Sequence, residues 1–207
     1  SELNDLKSQF LATISHEIHT PLCLMSEWIY LLSDGTLGQL SDDQAQAVDV
    51  LIGAYERLHR ILQQLIDLMQ GAQISLTRAT TTVQELVQQA ASILMPKATV
   101  RQITLTVKVP EAPLTVEVDR GRCRAALEYL IDNAIKFNRE RGTITVEVSG
   151  TTETVQVRIQ DTGIGIPPEE QDKVFAAFYQ VDRRLNRAYE GAGVGLTLAK
   201  RYIELHG

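Results

Sequence analysis

Two runs of apolar residues, spaced by threes and fours, dominate the first third of the chain. Leu3, Leu6, Phe10, Ile14, Ile18, Leu22, Met25, Ile29 and Leu32 form the first. That spacing is the period of a helix with one buried face. Val48, Leu51, Tyr55, Leu58, Leu62, Leu65 and Met69 form the second, with spacings that alternate three and four as in a heptad seam. Between them Ser33, Asp34, Gly35 and Gly38 break the pattern. Ser41 followed by Asp42 and Asp43 is a helix start with acids in its first turn. The run reads as an antiparallel helical hairpin: a first helix to about Leu32 and a second that Gly71 ends. Two helices do not bury two such seams well alone, so a dimer forming a four-helix bundle is the expected arrangement.

His16, in the stretch LATISHEIHTPL, sits on the first of these helices. At about 100° per residue the apolar positions fall roughly 80° to 240° away from it. Its imidazole is expected to point into solvent, with His19 and Thr20 near the same outer face and Glu17 on its flank. A lone helical histidine is more often solvated than reactive, so the rest of the chain has to decide. The 207 residues allow one large domain or two small ones. A net charge of −6 weighs against nucleic acid as a partner. Cys23 and Cys123 are too far apart for a metal or redox motif and read as free thiols. No apolar run reaches the ~18 residues of a membrane span, and no signal peptide is visible. The chain opens with Ser1 in mid-helix, which suggests a piece of something longer.

From Gln73 the composition shifts toward threonine and valine in alternating stretches. Ile103–Val109, Leu114–Val118, Gly142–Ser149 and Thr154–Asp161 read as strands, the last two as a hairpin. Helical windows lie near Val83–Met95 and Arg120–Phe137. The fold class is α+β: the helical hairpin of residues 1–71, then an α/β sandwich with a mixed sheet over 72–207. The boundary belongs near Gly71–Leu76.

Three features of the second domain carry chemistry. In IDNAIKFN, Asn133 shares a helix edge with Tyr129, Lys136 and Phe137. Such a set is either plain surface or a metal-ligand oxygen, a phosphate-binding ammonium and a wall for a base. In DTGIGIP, Asp161 ends a strand and Gly163 and Gly165 permit close backbone approach. Alone this is as readily a plain turn as a hinge beside an acceptor for an amine. GAGVGL, with Gly191, Gly193 and Gly195, opens a helix that runs to His206 and exposes backbone amides to an anion. It is neither a P-loop, having no Lys-Ser/Thr after the glycines, nor a dinucleotide fingerprint. Between the glycine clusters, Phe175, Phe178 and Tyr179 read as packing anchors. Arg183, Arg184 and Arg187 read as mostly solvated.

Taken in order, these stretches resemble the catalytic core of a sensor histidine kinase over nearly the whole chain. SHEIHTPL is similar to the family's H box, IDNAIKFN to its N box and DTGIGIP to its first glycine box. KVFAAFYQVD is similar to the F box and GAGVGLTLAKRYIELHG to the last glycine box. The resemblance implies a dimerisation and phosphotransfer hairpin followed by a Bergerat-type ATP-binding domain. It makes His16 the phosphoacceptor, Glu17 its base, and Thr20 the residue that orients a water for dephosphorylating a regulator. It gives Asn133 to Mg²⁺, Lys136 to phosphate, Phe137 to the base, and Asp161 to the adenine amine. Gly163 and Gly165 become the lid hinge, and Gly191, Gly193 and Gly195 the phosphate cradle. ATP and Mg²⁺ are the implied cofactors. A second copy of the chain, a response-regulator receiver domain and an upstream sensor domain are the implied partners. The segment is expected in the cytoplasm, with a membrane anchor allowed elsewhere in the full-length protein.

The chain departs from the family at four places. His19 replaces the usual arginine, Tyr129 a frequent asparagine, and Ala192 a small hydroxylic residue. The chain also stops at Gly207, where further strands normally follow, which would leave an exposed sheet edge. Two other readings stand beside the kinase. One is a degenerate, dimeric docking module without turnover. The other is a different Bergerat-type ATPase, of the topoisomerase or mismatch-repair kind, which leaves the hairpin and His16 unexplained.

Overall fold

The computed structural model describes residues 2–69, 75–151, 154–181 and 193–207, and for residues 2–16 only the backbone. The chain divides into two units, Ser1–Ile74 and Ser75–Gly207.

The first unit is the helical hairpin. Helix α1 spans Glu2–Ser33 and α2 spans Asp42–Met69. The turn between them uses Gly35 and Gly38 at φ of 80° and 119°, where a side chain would be strained. Asp34 Oδ1 accepts the Thr36 N–H at 2.8 Å. At the start of α2 the cap is reciprocal: Gln44 N–H donates to Ser41 Oγ at 3.3 Å, and Ser41 N–H donates to Gln44 Oε1 at 2.9 Å. This is a capping box, whose second member, Gln44, the sequence reading did not name. The two seams split by face. Leu22 and Val48 are buried and Ile29, Tyr55 and Leu62 half-buried, while Ile18, Met25, Leu51 and Leu58 stand exposed. Within one chain each helix therefore covers half of its apolar stripe.

The second unit runs β1 (Ala79–Thr82), α3 (Val83–Val100), β2 (Thr104–Lys108), β3 (Thr115–Val118), α4 (Arg120–Lys136), β4 (Thr143–Gly150), β5 (Val155–Asp161) and α5 (Gly195–Glu204). Strands β1 and β3 pair antiparallel. The larger sheet has the order β2-β4-β5, with β4 parallel to β2 and antiparallel to β5. It is the mixed sheet that the pattern predicts.

Helix α4 lies in the crossover between the parallel strands β2 and β4, and α3 precedes β2. Their inward residues Val87, Ala90, Ile131 and Ile135 meet Ile144, Val146 and Val148 of β4 in one core. Alternation along β4 puts those three residues on one face.

Three elements differ from the sequence reading. The helix expected to stop near Met95 continues through Pro96 to Val100. Buried Ala98, beyond the proline, holds the extra turn on the core. Strand β1 was not expected: ATTT has no apolar alternation, and its pairing with β3 is what fixes it. Helix α5 ends at Glu204, and His206 lies in the turn after it.

Candidate functional site

The parallel-then-antiparallel order of the sheet brings the end of α4 beside the end of β5. Ile144, near the start of β4, is in register with Asp161, the last residue of β5. Asn133 and Lys136 lie half-buried on the last turn of α4, and Phe137 is its C-cap. The Lys136 ammonium sits 4.8 Å from the centre of the Phe137 ring, a cation–π contact. Its charge also lies at the negative end of the helix.

From Phe137 the structure passes directly to the first glycine turn. The Phe137 carbonyl accepts the Ile164 N–H at 3.1 Å. A Cβ on Gly163 would fall 2.4 Å from that carbonyl oxygen, so close approach is what requires glycine there. Gly165 is required differently, by its φ of 71°. Asp161 is exposed, and its Oδ1 accepts the Gly163 N–H at 2.8 Å. The sequence reading thus placed Asn133, Lys136, Phe137, Asp161, Gly163 and Gly165 on residues that the fold does bring together.

A buried polar clasp under this turn was not foreseen. Asn138, 6% exposed, donates through Nδ2 to the Thr143 carbonyl at 3.2 Å. Its Oδ1 accepts from Thr162 Oγ1 at 3.3 Å and from Arg139 N–H at 2.9 Å. Thr143 N–H in turn donates to Thr162 Oγ1 at 2.9 Å. The clasp ties the end of α4 to β4 and to the residue after Asp161. An asparagine directly after a helix end is the one local sign of it.

Gly195 is the first residue of α5, and Val194 before it offers no side-chain cap. The N-cap thus offers no side-chain acceptor to the first amides of this ten-residue helix, which suit an anion. Gly193 has φ 68°, and its carbonyl accepts the Phe178 N–H at 2.9 Å. This bond ties the chain entering residues 179–192 to the chain leaving them. Nearby, the Tyr179 hydroxyl donates to the Glu170 carboxylate. That bond raises the Tyr179 pKa and lowers that of Glu170. Gly191 and Ala192 lie outside the described residues, as do Arg183, Arg184 and Arg187.

Tyr129 is occupied structurally. Its ring stacks on Tyr202 of α5 at 6.5 Å between centres. A Cβ on Gly195 would meet the Tyr129 ring at 3.6 Å. Tyr129 therefore supports the start of α5 from below by packing.

In the hairpin, His16 lies on α1, but its side chain is outside the described residues. Glu17 and Thr20 are exposed. His19 does not simply share their outer face: its ring meets that of His59 on α2 edge-on at 5.5 Å. His59 in turn meets Tyr55 at 5.9 Å. Among the described residues no group of three or more potential ligands stands where it could hold a metal ion. No described helix is long and apolar enough to cross a membrane.

Residues 6–73 match the model of the His Kinase A (phospho-acceptor) domain. Residues 118–207 match that of the histidine kinase-, DNA gyrase B-, and HSP90-like ATPases. The circadian input-output histidine kinase CikA of Synechococcus elongatus is 32% identical over 99% of the chain and 28% of its own length. The sensor protein GacS of Pseudomonas syringae is 33% identical over 100% of the chain and 23% of its own length. The chain therefore spans about a quarter of these curated relatives. Among solved structures, full-length ShkA in complex with AMPPNP is 29% identical with a TM-score of 0.76, covering 95% of this chain and 41% of that one. A phosphoacceptor hairpin followed by this ATPase fold, in this order and over nearly every residue, means that the chain belongs to the sensor histidine kinases, of which it is a catalytic core.

Proposed function

We propose that the chain uses ATP to phosphorylate His16 and passes the phosphoryl group to an aspartate of a response-regulator receiver domain. The observation that carries the ATP site is the bond from Ile164 N–H to the Phe137 carbonyl. It joins the Asn133–Lys136–Phe137 turn to the Asp161–Gly163–Gly165 turn as one surface. The donor set fits a nucleotide triphosphate. Asp161 accepts from the exocyclic amine, Phe137 walls the base, and Lys136 and the first amides of α5 meet phosphate oxygens, with Gly191, Gly193 and Gly195 as the cradle. Asn133 supplies an oxygen ligand for Mg²⁺, a hard cation that neutralises charge between phosphate oxygens.

In the hairpin, Glu17 accepts a hydrogen bond from one ring nitrogen of His16, which makes the other more nucleophilic. The second nitrogen forms the N–P bond as the bond from the γ-phosphorus to the β–γ bridging oxygen breaks and ADP leaves. The Glu17 carboxylate balances the charge that develops on the imidazolium. Thr20 orients a water for the reverse duty, dephosphorylation of the regulator. The exposed rows Ile18/Met25 and Leu51/Leu58 support pairing of the hairpin with a second copy. We place this segment in the cytoplasm, with an upstream sensor domain in the whole protein.

The test is incubation with γ-labelled ATP and Mg²⁺, with His16→Gln as control. The expected label is lost in acid, survives alkali and is absent from the control. No label on a folded protein that binds Mg-ATP would sink the kinase reading. No label and no nucleotide binding would leave a dimeric docking module.

A further inference from the structure

Arg101 lies 30 residues or more in sequence from every group of the candidate ATP site, yet its side chain ends on the site's main helix. It is the C-cap of α3, with φ −89° and ψ 6°. The next residue, Gln102, takes the left-handed conformation at φ 57°, and its N–H donates to the Thr99 carbonyl at 2.9 Å. This is a tight stop for α3. The half-buried Arg101 guanidinium then crosses to α4. Its Nη1 donates to the Lys136 carbonyl at 2.8 Å and to the Ile135 carbonyl at 3.3 Å.

Those carbonyls belong to the last turn of α4, where the helical ladder ends; the Ile135 carbonyl also accepts the Asn138 N–H at 3.4 Å. A fixed positive charge at the negative end of a helix is favourable there. The same turn carries Asn133 and Lys136 and ends at Phe137. From Phe137 its carbonyl reaches Ile164, beside Gly163 and Asp161. The guanidinium thus holds the end of α4 directly and the Asp161 turn through Phe137.

We infer that Arg101 is a positioning residue for nucleotide binding, acting through the end of α4 on Asn133, Lys136 and the Asp161 turn. This rests on the ATP site proposed above. Outer-shell partners of metal ligands change affinity by about 10–100-fold when removed, and Arg101 stands in a comparable relation to Asn133 and Lys136.

Arg78 supplies the control. Its Nη2 donates to the Leu205 carbonyl at 3.2 Å, just past the far end of α5, so it makes the same kind of bond away from the site. The experiment titrates a fluorescent ATP analogue with Mg²⁺ into wild type, Arg101→Gln, Arg101→Lys and Arg78→Gln. All are held well below their thermal midpoints and checked for folding by circular dichroism. The expected dissociation constant rises about tenfold in Arg101→Gln and about threefold in Arg101→Lys, which keeps the charge but loses the fork. It stays within twofold of wild type in Arg78→Gln.

An unchanged constant in Arg101→Gln overturns the inference. So does an equal rise in Arg78→Gln, which would mean general loosening of the fold. If Arg101→Gln fails to fold, the comparison passes to Arg101→Lys, and an unchanged constant there overturns it. If the wild type binds no nucleotide, it is the ATP-site reading that fails.

Discussion

Asp119 shows how one side chain serves several elements. It caps α4 by accepting the Arg122 N–H on Oδ1 at 3.1 Å, and its Oδ2 accepts the Thr77 N–H at 3.0 Å. Its own N–H donates to His206 Nε2 at 2.9 Å, so that nitrogen is the unprotonated one. Burial raises the carboxyl pKa, but the two backbone bonds and the Arg122 charge outweigh it and hold the group below its ordinary value of 3.8. A depressed carboxylate contributes stability above its unfolded-state pKa and loses it as pH falls through the folded one. Asp119→Ala should therefore lose about 1–2 kcal/mol at pH 7, as lost caps do. The gap from wild type should close as pH drops below 3.8. Urea unfolding at pH 7 and at pH 3 measures both, and a gap that does not shrink in acid refutes the assignment. Cys123 lies in the same cluster. Burial, with the Asp119 charge, pushes its thiol up to about 11, which keeps this free cysteine in the thiol form at neutral pH. Asp161 and Asn133 can be singled out from sequence because their motifs are local. Asn138, Asp119 and Arg101 cannot, because each also holds a partner far along the chain: Thr162, Thr77 with His206, and Lys136 respectively.

At the scale of elements, periodicity served well where one face is buried and poorly where pairing alone decides. The two hairpin helices and α4 follow their apolar stripes closely. Strand β1 carries no such stripe, and α3 runs past a proline because its far turn is buried. Leu51 and Leu58 are each 51% exposed on one stripe of α2. In a dimer each would bury apolar surface worth about 2 kcal/mol. Because a two-fold pair contains each residue twice, Leu58→Ala should raise the dimer dissociation constant about a thousandfold. Sedimentation equilibrium of wild type and variant tests this. Equal constants would put the interface elsewhere.

For the molecule as a whole, the two units differ in where their stability resides. Among the described residues the hairpin buries only Leu22 and Val48 of its apolar side chains, while the second unit holds the continuous core of α3, α4 and the sheet. The hairpin should need its second copy to stay folded, and the second unit should not. Calorimetry should show two transitions. The midpoint of one should rise on the order of 5 °C for a tenfold increase in protein concentration, and the other should stay fixed. A single transition independent of concentration would contradict this. Domain order and the mixed sheet were readable from the changing period along the chain. The division of stability was not, because it depends on what each unit buries.

Helix α4 carries Ile131 and Ile135 into the core, while Asn133 and Lys136, half-buried on its last turn, belong to the proposed ATP-binding surface. The two sets are interleaved on one rigid rod. A roll that carried Asn133 out of place would drag two fully buried isoleucines from a close-packed interior. This wall of the pocket is therefore as immovable as the interior itself. Whatever adjusts when a guest arrives or leaves has to do so on the opposite side, like a door hung against a masonry jamb.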